Sequence, residues 1–465
     1  MFGRIIFASL ISLWLCMVPA QAETLPSSRD QITMSFAPLV KQTAPAVVNI
    51  YTSKLVRQRL VSPFMDDPIF QQFFGVPEGL TRQRMENSLG SGVILRQDGL
   101  VATSAHVVQG ADEIRVVLHD RREFAAQILN LDEKTDLAML RLDGVKEALP
   151  ALELADSDAA EVGDLVMAIG NPFGVGQTVT TGIISGVARS GVGLNNLNSY
   201  IQTDAAINPG NSGGALVGMD GKLLGINAAI FSKSGGYMGI GFAVPAAMVR
   251  AVLQAVEQGK TRIVRPWLGL RGQDVTAELA SSLGLARPTG IVVRQMSEAS
   301  PLAIAGLRVG DVIEGLNGRS VEDEASLRFR VGTLPVGGMA ELTVVRGGVA
   351  RKVAFQLIAP PEVPARQETI ISGRNFMSGI KIGNLSPAVA EELGMPESGS
   401  GVVVLAASNR GVFGIDLQPG DRLVALNGQK VANVNELLEI LQQPARRWQL
   451  QLGRGGQLLN ILVGG

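Results

Sequence analysis

Asn208-Pro-Gly-Asn-Ser-Gly-Gly214 is the stretch on which the reading of this chain turns. A serine hydroxyl is a weak nucleophile unless a base takes its proton and nearby donors hold the oxyanion. Gly210, Gly213 and Gly214 allow a tight turn around Ser212 in which backbone N–H groups converge. Those of Gly210 and Ser212 are the expected oxyanion donors. Pro209 brings no N–H, but it presets the entry to the turn. Taken alone, the run also reads as an ordinary glycine-serine surface turn. Its partners decide.

A histidine base has only two candidates, because the chain holds 2 histidines. His119 stands at the polar end of a strand beside Asp120, Arg121 and Arg122, and reads as a solvated side chain. His106 closes Val101-Ala-Thr-Ser-Ala-His106, where an apolar strand gives way to small residues. Asp136 opens the apolar strand Leu137–Leu142. A carboxylate at such an edge can be buried against an imidazole, fixing its tautomer and stabilising the imidazolium. Asp132 and Asp143 lead into no comparable run and read as turn formers. The order His106, Asp136, Ser212 is that of the chymotrypsin-like double barrel, and differs from the hydrolase-fold and subtilisin orders.

Working outward, short apolar runs separated by Gly, Asn and Asp turns fill 91–245. Examples are Gly92–Leu95, Ile114–Leu118, Leu165–Ile169, Gly182–Val187 and Gly225–Ala229, a pattern of antiparallel strands in a barrel or sandwich. A strand over Ala46–Tyr51 precedes them and a helix over Ala246–Glu257 closes the region. Residues 54–88 read as a long irregular insert carrying Phe64, Phe70, Phe73 and Phe74. Beyond it the chain repeats itself. Gly306–Gly318 overlays Asp416–Gly428 at an offset of 110 residues, each copy followed by a helix-like segment, Glu324–Val331 and Val434–Gln442. A unit of that size is a small domain. The proline-rich Ala359–Arg366 between the copies reads as a stiff linker.

Thr103–Val108, Thr135–Leu140 and Gly210–Leu216 together resemble the three signature segments of the HtrA (Deg/Do) family of serine proteases. Ala168–Gly174, Gly182–Gly186, Gln202–Ile207 and Gly239–Pro245 match as well, so the resemblance covers nearly the whole chain past residue 22. Ser104-Ala105 departs from the Asn-Asn pair common before the family's histidine, a change between small residues. The resemblance implies a mainly β chain: a chymotrypsin-like double β-barrel protease domain over 23–259, then two α+β PDZ domains over 260–358 and 371–465, joined by a linker over 359–370. It also implies an S1 pocket lined near Ile207 and Ile240, suited to small aliphatic side chains. Arg265, Trp267, Leu268, Gly269 and Leu270 occupy the family's carboxylate-binding loop, where a peptide C-terminus would add a strand. The second repeat lacks a clear loop of this kind, with Asp416 at the position of Gly306. A trimer that builds larger cages, chaperone activity beside proteolysis, and a regulatory role for the 54–88 insert follow from the same resemblance.

Composition narrows the partners. Apolar residues are 46% and charged residues 18%, enough for packed cores, and 41 basic against 42 acidic residues leave no cationic surface to track nucleic acid. Arg4, the apolar run Ile5–Val18 and Ala20-Gln21-Ala22 have the layout of a secretory signal peptide over 1–22. An uncleaved anchor or a lipoprotein built on Cys16 is the rival, disfavoured by Leu15. Cleavage would remove Cys16, the only cysteine, leaving no disulfide and no thiolate metal site. No nucleotide motif, cofactor site or metal site is expected, nor a membrane span after residue 22. The expected protein is a periplasmic, ATP-independent endopeptidase acting on unfolded or damaged proteins. Two rivals remain: a proteolytically silent PDZ holdase or scaffold, and a serine esterase.

Overall fold

A computed structural model describes residues 35–59, 81–171, 176–189, 199–208, 210–230, 238–260, 262–373, 375–395, 401–407, 416–443, 445 and 447–464. The stretch read as a signal peptide and the phenylalanines of the insert lie outside them.

Strands β1 (Val47–Arg59), β2 (Thr81–Arg96), β3 (Leu100–Ser104), β4 (Glu113–Val117), β5 (Glu123–Asp132) and β6 (Leu137–Leu142) close a first barrel in the order β1-β2-β3-β6-β5-β4. A second barrel closes in the order β10-β11-β12-β9-β8-β7. Its strands are β7 (Leu165–Gly170), β8 (Thr178–Arg189), β9 (Tyr200–Thr203), β10 (Ala215–Gly218), β11 (Leu223–Ile230) and β12 (Gly241–Pro245). Closure satisfies the edge N–H and C=O groups that an open sheet would leave bare.

The strands where the barrels meet have no polar face, and the packing shows why. Successive side chains of a strand point to opposite sides. In β6, Ala138, Leu140 and Leu142 fill the first barrel, while Leu137 and Met139 enter a cluster shared by both barrels. In β7, Val166 and Ala168 fill the second barrel, and Met167 and Ile169 enter the same shared cluster. Each fully buried Leu, Ile or Met contributes about 1.5–3 kcal/mol of transfer free energy, so the shared cluster binds the barrels firmly. The helix α1 (Ala246–Glu257) adds Met248, Val249 and Val252 to it.

The expected irregular insert differs from the structure at both flanks. β1 and β2 stay in antiparallel register out to Lys54↔Glu86 and Arg59↔Thr81, because a hairpin ladder needs backbone partners and no apolar pattern. The strand read as Ala46–Tyr51 therefore runs to Arg59, after a 3-10 turn over Ala44–Ala46.

The two repeats fold alike. A six-stranded sheet lies between Leu270 and Gln356 with helix α2 (Glu324–Gly332), and a seven-stranded sheet between Thr369 and Gly464 with helix α3 (Val434–Leu441). The second sheet begins at Thr369, inside the stretch read as linker, since Thr369 and Ile370 pair with Ile382 and Lys381. Each repeat carries the same buried lock. Arg346 forks onto Asp311 and reaches the Gly306 carbonyl, and Arg454 forks onto Asp421 and reaches the Asp416 carbonyl. The hydrogen bond at 306 and 416 is accepted by the backbone oxygen, a group that glycine and aspartate share. Phe329 of α2 packs into the shared core of the barrels, and Arg265 pairs with Asp132 where both are buried.

Candidate active site

Register places His106 beside Asp136. β3 pairs with β6 so that Ser104 faces Leu137; the chain turns at once into the short helix Ala105–Val108 on one strand, and leaves Asp136 on the other. His106 Nδ1 lies 2.8 Å from Asp136 Oδ2, and the His106 backbone N–H donates to Asp136 Oδ1 at 3.0 Å. With the ring proton on Nδ1, the imidazole donates to the carboxylate and turns Nε2 outward as an acceptor. Asp136 takes a left-handed backbone conformation, φ 56°, which aspartate tolerates better than most residues. Its carbonyl accepts the Ala105 N–H at 3.0 Å, which ties it to the histidine turn.

The turn that carries Ser212 sits between the barrels, bonded to Ser91 of the first and Asn227 of the second. Gly210 and Gly213 have φ of 100° and 83°, in the region that favours glycine. The N–H groups of Asn211, Gly213 and Gly214 donate to the carbonyls of Asn208, Asn227 and Asn211. Those of Gly210 and Ser212 find no acceptor among the described residues. Converging backbone amides with no acceptor of their own are what a developing oxyanion requires. The Ser212 hydroxyl donates to the Ala228 carbonyl at 3.1 Å, and among the described residues it makes no bond to His106.

The remaining predicted residues divide. Ile207 is buried in the core of the second barrel, against Gly241, and Ile240 is partly buried against the shared cluster; loops 190–198 and 231–237 lie outside the described residues. Trp267, Leu268 and Val331 line a groove that Arg265, Pro360 and Glu391 border. Gly269 is held at φ 64° against the Trp267 ring, where a Cβ would come within 2.6 Å. Leu270 opens the strand paired with Met296. The Arg265 guanidinium is held by Asp132 through Nη2, in a buried pair. Arg265 Nε and Trp267 Nε1 are buried donors without a partner among the described residues. His119 is exposed, as read.

Three site residues escaped the sequence reading. Asn227 accepts the Gly213 N–H at 2.7 Å through its carbonyl, and its side chain donates to Ala215 O at 3.0 Å. Tyr200 lies buried near Asp136; burial, and then the Asp136 charge, push its phenol well above the usual tyrosine value. Ser91 donates to Gly210 O at 2.7 Å. The signal for Ser91 was present as Gly90-Ser91-Gly92. A Cβ at Gly90 would meet Val107 at 2.6 Å and one at Gly92 would meet Ile50 at 2.8 Å, so the glycines let β2 lie deep.

Comparison with known proteins agrees with this geometry. Residues 90–226 match the trypsin-like peptidase domain family, and residues 236–357 match the PDZ domain family. A relative from Pseudomonas putida, named a probable periplasmic serine endoprotease, DegP-like, is 39% identical over 90% of this chain and 90% of its own length. The periplasmic serine endoprotease DegP of Salmonella typhimurium is 37% identical over 98% of each chain. Among solved structures, the HtrA-type protease AlgW with a decapeptide is 45% identical, with a TM-score of 0.52 over 70% of this chain and 99% of that one. Relatives of this kind are named periplasmic, and among the described residues no helix is long and apolar enough to cross a membrane.

Proposed function

This chain belongs to the HtrA (Deg/Do) family and is a serine endopeptidase, and from that premise we propose that His106, Asp136 and Ser212 carry its chemistry. His106 Nε2 takes the proton of the Ser212 hydroxyl once that hydroxyl swings off the Ala228 carbonyl. Ser212 Oγ attacks a peptide carbonyl, and the amides of Gly210 and Ser212 hold the resulting oxyanion. Asp136 keeps the Nδ1 proton and stabilises the imidazolium, which then protonates the leaving amine. Water repeats the sequence to free the acyl group. The observation that carries this reading is the 2.8 Å contact between His106 and Asp136 beside a turn in which the Gly210 and Ser212 amides have no acceptor among the described residues.

The substrates on this reading are unfolded or damaged proteins, cut without ATP, after a signal peptide ending near Ala22 is removed in transit to the periplasm. The first PDZ unit, with Trp267 and Leu268 in its groove, takes peptide C-termini. The AlgW structure, whose name includes a decapeptide, and Trp267 Nε1, without a partner among the described residues, support this. Two C-terminal units and a cysteine-free insert group the chain with DegQ-type proteases, assembled as trimers able to form larger cages, with chaperone activity beside cleavage.

The test is digestion of a reduced, unfolded protein by the mature chain beside Ser212→Ala, with oligomer size recorded. Cutting by the wild type and none by a folded Ser212→Ala chain is the expected result. Equal cutting by both would remove Ser212 from the mechanism.

A further inference from the structure

We propose that Ser91 is a positioning residue for the oxyanion hole, acting on the nucleophile turn of one barrel from a strand of the other. The inference rests on the reading of Gly210 and Ser212 as oxyanion donors. Ser91 lies on β2 of the first barrel and is fully buried, at 0% exposure. Every polar atom it has is engaged with the far side of the site or with the wall behind it. Its hydroxyl donates to Gly210 O at 2.7 Å and accepts the Asn171 N–H at 2.9 Å. Its N–H donates to Ser212 O at 2.9 Å, and its carbonyl accepts the Thr103 hydroxyl at 2.7 Å. A hydroxyl has one proton to give. With Asn171 supplying a donor from the other side, that proton is committed to Gly210.

Peptide planarity turns these bonds into control of the hole. A C=O and the N–H of the next residue lie in one rigid plane. The Gly210 N–H belongs to the plane before Gly210, and the φ and ψ of that one residue separate it from the plane that Ser91 Oγ grips. The Ser212 N–H belongs to the plane of the Asn211 carbonyl, which accepts the Gly214 N–H at 2.9 Å, and the next plane is gripped by the Ser91 N–H. The turn is also seated directly on Ser91: a Cβ at Gly213 would fall 2.1 Å from Ser91 O. Two carbonyls of a glycine-rich turn are thus held by one residue. Glycine by itself supplies no such restraint, since it populates both signs of φ.

The experiment uses the full chain and a chromogenic peptide, with Ser91→Ala and Ser91→Cys beside wild type. A peptide aldehyde, whose tetrahedral adduct places an oxyanion in the hole, is the second probe. In Ser91→Ala, kcat is expected to fall about 10- to 100-fold, short of the loss from deleting a donor outright. KM is expected to change by less than about twofold, because the hydroxyl touches no ground-state substrate. Aldehyde affinity should fall by the same factor as kcat/KM, as for any contact made only to the transition state. Ser91→Cys, with a weaker donor, should fall between. Ile50→Val, a truncation in the same barrel, should lower the unfolding temperature and leave kcat alone. Unchanged kcat in Ser91→Ala, or a fall in kcat with aldehyde affinity intact, overturns the proposal. So does an equal loss of kcat in Ile50→Val. Ser212→Ala separates the two claims: if it is inert while Ser91→Ala is normal, the triad stands and only Ser91's role fails.

Discussion

The first barrel builds its share of the site from strand register, whereas the second builds its share from a turn that it cannot hold alone. His106 and Asp136 follow directly from the pairing of β3 with β6, and their hydrogen bonds lie within one barrel. Ser212 sits in a glycine-rich turn whose carbonyls are gripped by Ser91 from the first barrel and whose Gly213 N–H is gripped by Asn227 from the second. The acid–base pair should therefore survive small shifts between the barrels, and the nucleophile turn should not.

The largest expected effect lies in the first barrel. Asp136→Asn should lower kcat by about 10⁴-fold with the fold intact, since it favours the wrong imidazole tautomer; steady-state kinetics on a peptide, with circular dichroism as control, checks it. A loss much smaller than this would mean that the register-built half contributes little.

Second comes the point where the first barrel leans on a neighbour after all. Asp132, at the end of β5 just before the turn to Asp136, holds the buried Arg265, and removing one member of a buried pair costs about 3–5 kcal/mol. Asp132→Ala should lower stability by about that amount in denaturant titrations followed by tryptophan fluorescence. If kcat falls with it, the acid–base half is less self-contained than its register suggests.

Third, Gly213→Ala should cost about 1–3 kcal/mol from its backbone conformation alone, and more from the approach to Ser91 O. Hydrolysis should fall along with thermal stability. Retained activity would show that the turn can be reseated.

The smallest effect lies outside both barrels. Burial raises the Asp311 carboxyl, but the Arg346 hydrogen bonds and charge outweigh it and hold the group below the usual value of about 3.9. A lowered pKa contributes stability above the unfolded value and loses it as pH falls through the folded one. Asp311→Asn should therefore be less stable than wild type at neutral pH. The gap should close in acid below about pH 4, with no change in kcat at neutral pH.

The legible parts of this chain were those written in local pattern. The helix Ala246–Glu257 and the strand Leu137–Leu142 appear with the bounds their periodicity gave. Asp311, Asn317, Asp421 and Asn427 could be aligned because both repeats reuse the same turns. The 54–88 flanks were misread because a ladder extending a hairpin needs only backbone partners, which leave no mark in side-chain pattern. Ser91 was missed for a related reason: it meets Gly210 across 119 residues of sequence and through a carbonyl oxygen, which every residue has.

The order of His106, Asp136 and Ser212, the glycines around the serine and the paired repeats were set by the chain itself, because each is a matter of residue type and spacing. Which carbonyls those glycines turn away, and what holds them there, was decided only when two closed barrels met. Hydrogen bonds between distant backbone groups depend on where the strands pack, and a sequence records the side chains, not the packing.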